Sequence, residues 1–551
     1  MEKITMIFFA LIVFASTNVN AQLDDQISSS TNSANDEGEA HIAMNPIDSN
    51  ELVMGYMELP MTAAIGFNIH TSQDGGDTWQ SSLFDPVAAV GQQVPNYDLI
   101  GGGDIVFAYD NTGKLYCSWI TLWADMSLPS PLDSCLWLAS WAYSNDNGMN
   151  FIMESGGDQY FAEGKINVNG ALTIHNYKDG IADRQWMAVD LSNGPNENNL
   201  YVGFIHYPPN MSQTGLKVRT KQEGQNSFSP VQTAFSGSGQ LTNIATDANG
   251  DLHYTFADLG NNNIYHVSSA DGGQTFSTNH LIYQGQNLFP MSNHKINGRE
   301  NSAPSLAIDG DNNLHLVWGD FPLGQNQPVS FYSKSIDGGI TWSTPEDLET
   351  IFGNKVFMPV VSAKANRVSI GGNVLNANDS SSYAIALSND MGGNYAVPVT
   401  VSSGITDFGT LGIAPFIGDY SSSARSYCSI YSLWTDCRTG GNGCKQYIAK
   451  YDQCANVGVV ELTPVESPFS VVLYPNPVGN NLNINIESEI NGVIITTLYD
   501  LQGKVILQEN QNVALGITKV SVDTSELESG YYMIRLQDET GVYITRKFEK
   551  Q

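Results

Sequence analysis

Positive charge is what this chain has least of. It carries 24 Lys and Arg against 56 Asp and Glu, a formal net charge of −32. A surface of that sign repels phosphate backbones and anionic lipid, which argues against nucleic-acid binding. Helix-forming stretches are also scarce: charged residues reach only 15%, and no Ala-, Glu-, Lys- and Leu-rich amphipathic segment stands out. Long apolar runs are nearly absent. Ile4 to Phe14 is 11 residues, too short for a bilayer span, and no later segment approaches one. With Lys3 before it and Val19-Asn20-Ala21 after it, residues 1–21 read as a secretory signal peptide. No cysteine follows the cleavage site, so a lipid anchor is not expected. There is no Walker loop, no HExxH and no GxSxG elbow. No CxxC pair occurs and no histidine neighbours a cysteine, which leaves a zinc site little support.

What is present points to an all-β exported protein. The 551 residues suffice for two or more domains. The 52 Gly, 25 Tyr and 22 Phe suit short strands joined by turns. Six cysteines in an exported chain suggest disulfides, with 15 possible pairings. Cys437 and Cys444 flank a Gly-rich loop they can close, and Cys428 with Cys454 can tie the last repeat unit; Cys117 and Cys135 complete the set.

A repeat organises residues 40 to 451. Its first half is a hairpin: an apolar strand, a turn of Asp, Asn and Gly, then an alternating strand. IAMNPIDSNELVMGY from Ile42, IATDANGDLHYTFAD from Ile244 and SLAIDGDNNLHLVWGD from Ser305 are examples among seven units. The second half is a strand ending in Ser-x-Asp-x-Gly-x-Thr-Trp or a variant. Copies begin at Ser72, Ser144, Ser269, Ser335 and Ser388, and a decayed one lies at Thr220 to Phe228. The chemistry of this turn is structural: Asp accepts its own turn's amides, and Gly takes positive φ. Hairpin plus hairpin makes a four-stranded propeller blade. The count favours seven blades, with six as the alternative. The seventh unit, ending at Tyr451, lacks a fourth strand, which a strand near Gln26 to Ser30 can supply.

This spacing resembles the Asp-box of sialidases and other BNR-repeat propellers, and implies that fold for residues 22–455. After a linker at 456–469, residues 470–551 contain YPNP, LYDLQGK and SGYYMIRL. These resemble the type A sorting domain of type IX secretion cargo. That resemblance implies an Ig-like β-sandwich read by the outer-membrane translocon, and a secreted or surface location.

Propeller topology places the Ser-x-Asp turns at the bottom and the long insertions 80–103, 121–137, 152–183, 277–304 and 396–415 on top, where loops of that length are often functional. Residues at the start of a first strand or the end of a second ring the upper channel. Among them are Arg184, Arg299 and Arg438, and the acids Glu39, Asp104, Asp183, Asp258, Glu300, Asp320, Asp419 and Asp436, with Tyr56, Trp186, Tyr207 and Tyr420 nearby. The sialidase resemblance implies a three-arginine clamp on a substrate carboxylate, for which Arg184, Arg299 and Arg438 are the candidates, with Trp186 beside them. It also implies a Tyr–Glu nucleophile and an Asp acid/base. The family's first arginine precedes the first Asp-box; here no arginine precedes Arg184. The carboxylates offer a second route, acid–base hydrolysis of a neutral glycan. The catalytic candidates are Asp104, Asp183, Glu300, Asp320, Asp419 and Tyr420. Segments ADRQWMAVD (Ala182 to Asp190), GDY (Gly418 to Tyr420) and LWTDCR (Leu433 to Arg438) look like signatures of uncharacterised secreted BNR-repeat proteins. The expected partner is an extracellular glycan or glycoprotein. No cofactor is required, and Ca²⁺ held in acidic loops stays open as an alternative. The Asp247 and Asp309 turns begin like calcium loops but lack the closing Glu, so ordinary turn chemistry is the better reading. The two function readings are a glycoside hydrolase and a non-catalytic binding propeller.

Overall fold

The computed structural model describes residues 24–27, 36–59, 65–154, 158–167, 173–175, 181–207, 215–288, 303–322, 327–376, 380–407, 417–438, 443–454, 469–488, 491–500, 504–538 and 543–551. Residues 1–21, expected to be a signal peptide, lie outside them, as do Arg299 and Glu300. The chain divides into two compact units, residues 1–456 and 457–551.

In the first unit the described strands form seven antiparallel sheets of four or five strands. Each sheet is built mainly from consecutive strands, as expected from hairpins in series. Their first strands are Asp36–Met44, Tyr97–Tyr109, Ile181–Val189, Gly239–Thr246, Ser305–Ile308, Val356–Lys364 and Ser422–Arg425. Each first strand touches the next, and the last touches Asp36–Met44, so the sheets close a ring. Apolar side chains fill the space between sheets. Trp119, Trp141, Trp318 and Trp434 are fully buried there. The described helices are short, with α segments at Pro86–Gly91 and Glu349–Phe352.

The ring is closed by the chain's own beginning. Asp25 and Gln26 pair with Ile448 and Tyr447 as the fourth strand of the last sheet. The strand expected near Gln26 to Ser30 is thus observed at Asp25–Gln26, and 28–30 lie outside the described residues. Side chains reinforce the joint. Glu37, fully buried, accepts from Lys445 Nζ at 3.3 Å and from the Gln446 amide at 3.1 Å. Asp36 accepts from the Cys444 amide at 2.9 Å.

The repeated turns share one wiring diagram. In the first, Ser72 Oγ donates to Asp74, the Gly76 amide donates to Ser72 Oγ, and the Thr78 amide and hydroxyl donate to the two Asp74 oxygens. The same bonds recur around Asp146, Asp271, Asp337 and Asp390, with Asn150 and Asn394 standing in for the Thr. These donors hold the Asp carboxyls below the usual carboxylate range. Asp247 and Asp309 likewise spend one oxygen on amides of their own turns, and each faces a buried histidine, His253 and His315.

Two disulfides lie in or beside the last sheet, Cys428–Cys454 and Cys437–Cys444. The even cysteine count overstates the bridging: Cys117 and Cys135 are buried, free thiols on neighbouring strands. They are out of register, Cys117 facing Ala142 and Cys135 facing Ala124. In the second unit, a three-stranded and a four-stranded antiparallel sheet share one core including Leu482, Ile484, Ile534, Leu536 and Phe548.

Thiol titration of the non-reduced protein should find no reactive cysteine in the native state and two per chain in denaturant. Four reactive thiols on unfolding would mean that one of the bridges is absent.

Candidate functional site

The ring's upper opening owes its chemistry to a repeated β-bulge. The first strands lose one step of register between Gly38 and His41, Gly103 and Val106, Asp183 and Trp186, Gln240 and Asn243, and Phe357 and Val360. Within the bulges Glu39, Asp104, Arg184, Leu241 and Met358 have φ between 48° and 59°. A non-glycine residue in that region costs about 1–2 kcal/mol, so the surrounding structure must hold it there. Four of these residues line one cavity of about 630 Å³: Glu39, Asp104, Arg184 and Leu241, joined by Asp183, Asp419, Tyr207, Trp137 and Gln240.

Glu39 and Asp104 are a carboxyl pair. Both are buried, at 5% and 7% exposure. Burial, then the charges of Asp104 and Asp419, push the Glu39 carboxyl well above its ordinary range. Asp104 is raised by burial and held back by Arg184 and by the hydrogen bond from Glu39. Two carboxyls this close disfavour double ionisation, and Glu39 is the one pushed further up. Asp104 Oδ2 accepts the Arg184 amide at 3.1 Å, and its carbonyl accepts from the Gln185 side chain, which knits the second sheet to the third.

Arg184 lies 3.9 Å over the Tyr420 ring and 4.8 Å from Trp186. It is 4% exposed, yet among the described residues its Nε and Nη1 have no hydrogen-bond partner. Its side chain lines both the main cavity and a narrower channel of about 150 Å³ that also holds His41, Trp186 and Tyr420. Burial and the Arg184 charge lower His41 to about 3, so this neighbour stays neutral. Asp183 accepts from Tyr207 Oη at 2.9 Å, and Gln240 Nε2 reaches the same hydroxyl at 3.4 Å. Burial and the Asp104 charge raise Asp183 to about 6.

The cavity therefore gathers Asp104, Asp183, Asp419 and Arg184, while Trp186 and Tyr420 sit under Arg184 as its aromatic bed. Other candidates have different work. Arg438 is not in the cavity: it bonds Asp24 at 2.6 Å and Asp436 at 2.5 Å, and stacks 4.0 Å over Tyr447, so it belongs to the ring closure. Asp320 is fully buried and accepts from Tyr283 and from the Asn287 and Phe321 amides, which fixes a loop. Asp258 caps its own turn, and Tyr56 is fully buried against His70. A three-arginine clamp from Arg184, Arg299 and Arg438 is thus not assembled, because Arg438 is committed elsewhere.

Trp137, Gln240 and Leu241 were not singled out as site residues from the sequence. A signal for the bulge exists. Aligning the repeats on the alanines at 43, 108, 188 and 245 puts Glu39, Asp104, Arg184 and Leu241 four residues earlier in each. Trp137 had no such marker, since it arrives from a third strand.

Residues 472–551 match the family of secretion system C-terminal sorting domains. This tail directs export by type IX secretion, to the medium or the cell surface. No curated protein matches the chain. Solved structures similar to it include the Hadza microbial sialidase Hz136, 10% identical over 71% of this chain and 73% of that one, with a TM-score of 0.37. The α-L-arabinofuranosidase Arb93A from Fusarium graminearum is 12% identical over 79% and 98%, with a TM-score of 0.40. The polysaccharide lyase Uly1 is 9% identical over 76% and 90%, with a TM-score of 0.43. No helix among the described residues is long and apolar enough to cross a membrane.

The raised Asp183 carboxyl has a stability consequence. Folding favours its protonated form, so the stability it contributes is complete below its ordinary value of 3.8 and is lost as pH rises to about 6. Asp183→Asn should therefore gain in Tm relative to the parent between pH 4 and 6, with a constant gap above pH 7. A gap that does not change with pH would show that Asp183 titrates normally.

Proposed function

We propose that the exported propeller is a glycoside hydrolase acting on an extracellular glycan, with its active site in the cavity of Glu39, Asp104, Asp183 and Arg184. The observation that carries this is the buried Glu39 and Asp104 carboxyl pair in a cavity that also holds Asp183, with burial pushing the Glu39 carboxyl well above its ordinary range. Acid–base glycoside cleavage needs one carboxyl that keeps its proton near neutral pH and one that has lost it. Burial and Asp104 supply the first in Glu39; a pKa of about 6 supplies the second in Asp183.

In this reading Glu39 gives its proton to the glycosidic oxygen as the C–O bond breaks. Asp183 takes a proton from the water whose oxygen joins the anomeric carbon, and Tyr207 fixes the Asp183 carboxylate in place. The Asp104 carboxylate faces the positive charge that develops on the sugar ring. Arg184 offers its free N–H groups to a sugar oxygen. Several carboxyls around one guanidinium leave the floor poor in positive charge, which suits a neutral sugar better than an acidic one.

The binding-propeller reading has its own support. Glu39, Asp104 and Asp183 all have partners within the protein, the wiring that a rigid, non-reacting recognition site would also have.

Purified protein incubated with neutral and sialylated glycans, with products read by mass spectrometry, should release a neutral sugar. Glu39→Gln should lower kcat by about 10²-fold or more. Release of sialic acid would overturn the neutral-substrate assignment, and no product from a folded protein would favour the binding reading. The pH profile of kcat/KM should have its acidic limb near 6, and Asp183→Asn should abolish that limb together with most activity.

A further inference from the structure

The cavity has two tiers of opposite chemistry. Strand register sets their heights. In the first sheet Gly38, beside Glu39, pairs with Met57, and Asp36 pairs with Leu59. In the second sheet Gly103, beside Asp104, pairs with Ile120, and Gly101 pairs with Leu122. Leu59 and Leu122 thus stand two residues, about 6–7 Å, further along their strands from the carboxyl pair. Leu122 in turn pairs with Trp137, and Leu122, Trp137 and Tyr207 pack on one apolar cluster. Ile65 and Leu259 complete this tier.

Leu59, Ile65, Leu122, Trp137 and Leu259 are each only half-buried, and all line the cavity. Five partly exposed large apolar side chains around one opening hold water against surface that gains by losing it. Among the described residues the tier offers little polarity in exchange. Trp137 gives its one N–H to the Ala182 carbonyl at 2.7 Å, which leaves a fixed ring with an apolar face. Tyr207 Oη and Gln240 Nε2 are turned to Asp183 and to each other. A sugar hydroxyl placed here would lose its water and find few partners, so a second sugar unit gains little from this tier.

Among the described residues the one group of three His, Cys, Asp or Glu donors close enough to share an ion is Cys428, Asp452 and Cys454, at the disulfide in the last sheet.

We propose that the upper tier binds an apolar aglycone, so that the substrate is a glycoside carrying an alkyl or aryl group at the bond to be cut, not an internal linkage of a polysaccharide. This rests on the hydrolase reading above for the position of the sugar. The sugar sits at the level of Glu39 and Asp104, and its apolar substituent rises between Leu59, Leu122 and Trp137. A volume of about 630 Å³ accommodates a ligand of that size.

The test is calorimetric titration of the full-length Glu39→Gln protein with octyl β-D-glucopyranoside below its micelle concentration, with methyl β-D-glucopyranoside, and with cellotetraose. The octyl glucoside should bind at least 10-fold more tightly than either of the others. Leu122→Asn and Leu59→Asn, on different strands, should each shrink that ratio severalfold, and Trp137→Phe should keep most of it. Equal or tighter binding of cellotetraose, or no binding of any of the three, overturns the proposal. So does an octyl preference that both Asn variants leave unchanged. Hydrolysis assays of the parent protein separate the two readings. Octyl preference without any hydrolysis leaves the aglycone site standing and removes the hydrolase; hydrolysis without the preference does the reverse.

Discussion

A ring of sheets keeps its shape only if the last sheet is joined to the first, and here that joint is made by a few residues far apart in sequence. Asp25 and Gln26 complete the sheet whose other strands come from residues 422–452. The buried Glu37–Lys445 pair and the contact of Arg438 with Asp24 sit beside it. Losing one partner of a buried pair leaves an uncompensated charge, which costs about 3–5 kcal/mol, so the joint is held by mutual dependence more than by surplus attraction. The cavity depends on this closure, since its acids come from both sides of the joint: Asp419 precedes the last sheet, Glu39 opens the first, and Asp104 and Arg184 follow.

Around the ring the same bulge delivers a different side chain each time. The backbone device is structural, while the chemistry is set by which residue occupies it: Glu, Asp and Arg in three adjoining sheets, Leu and Met further round. That asymmetry gives the opening an acidic side and an apolar side. It also concentrates cost. Buried carboxyls, an arginine with unpartnered N–H groups and left-handed non-glycine residues each oppose folding, and they lie together. The stabilising repeats lie at the opposite ends of the strands, where five Asp carboxyls are held by their own turns. Stability is made at the bottom of the ring and strained at the top, the division expected of a functional site on a rigid scaffold.

Much of this was legible in the sequence, because repeats declare themselves. The hairpins, the Ser-x-Asp-x-Gly turns, the closing N-terminal strand and the two disulfide pairings all rest on local chemistry or on symmetry of the pattern. The cavity was half legible. Arg184, Asp104, Asp183 and Asp419 follow from the rule that strand ends ring the channel. The same rule also raised Asp320 and Arg438, because position along a strand does not say whether a carboxylate faces the opening or accepts loop amides, or whether an arginine finds an acid first.

The sequence by itself determined an exported, all-β, repeat-built protein with a sorting tail, since hydrophobic period, turn residues and the motifs of the tail act over a few residues and need no partner. Only the tertiary structure decided that Glu39 is buried beside Asp104 with its carboxyl pushed well above the ordinary range, that Arg184 lies on Tyr420, and that Trp137 and Leu122 face the same space. Those facts depend on strands from different sheets meeting at one bulge level. Proton affinity and solvent access are set by distance and burial, which no spacing along the chain encodes.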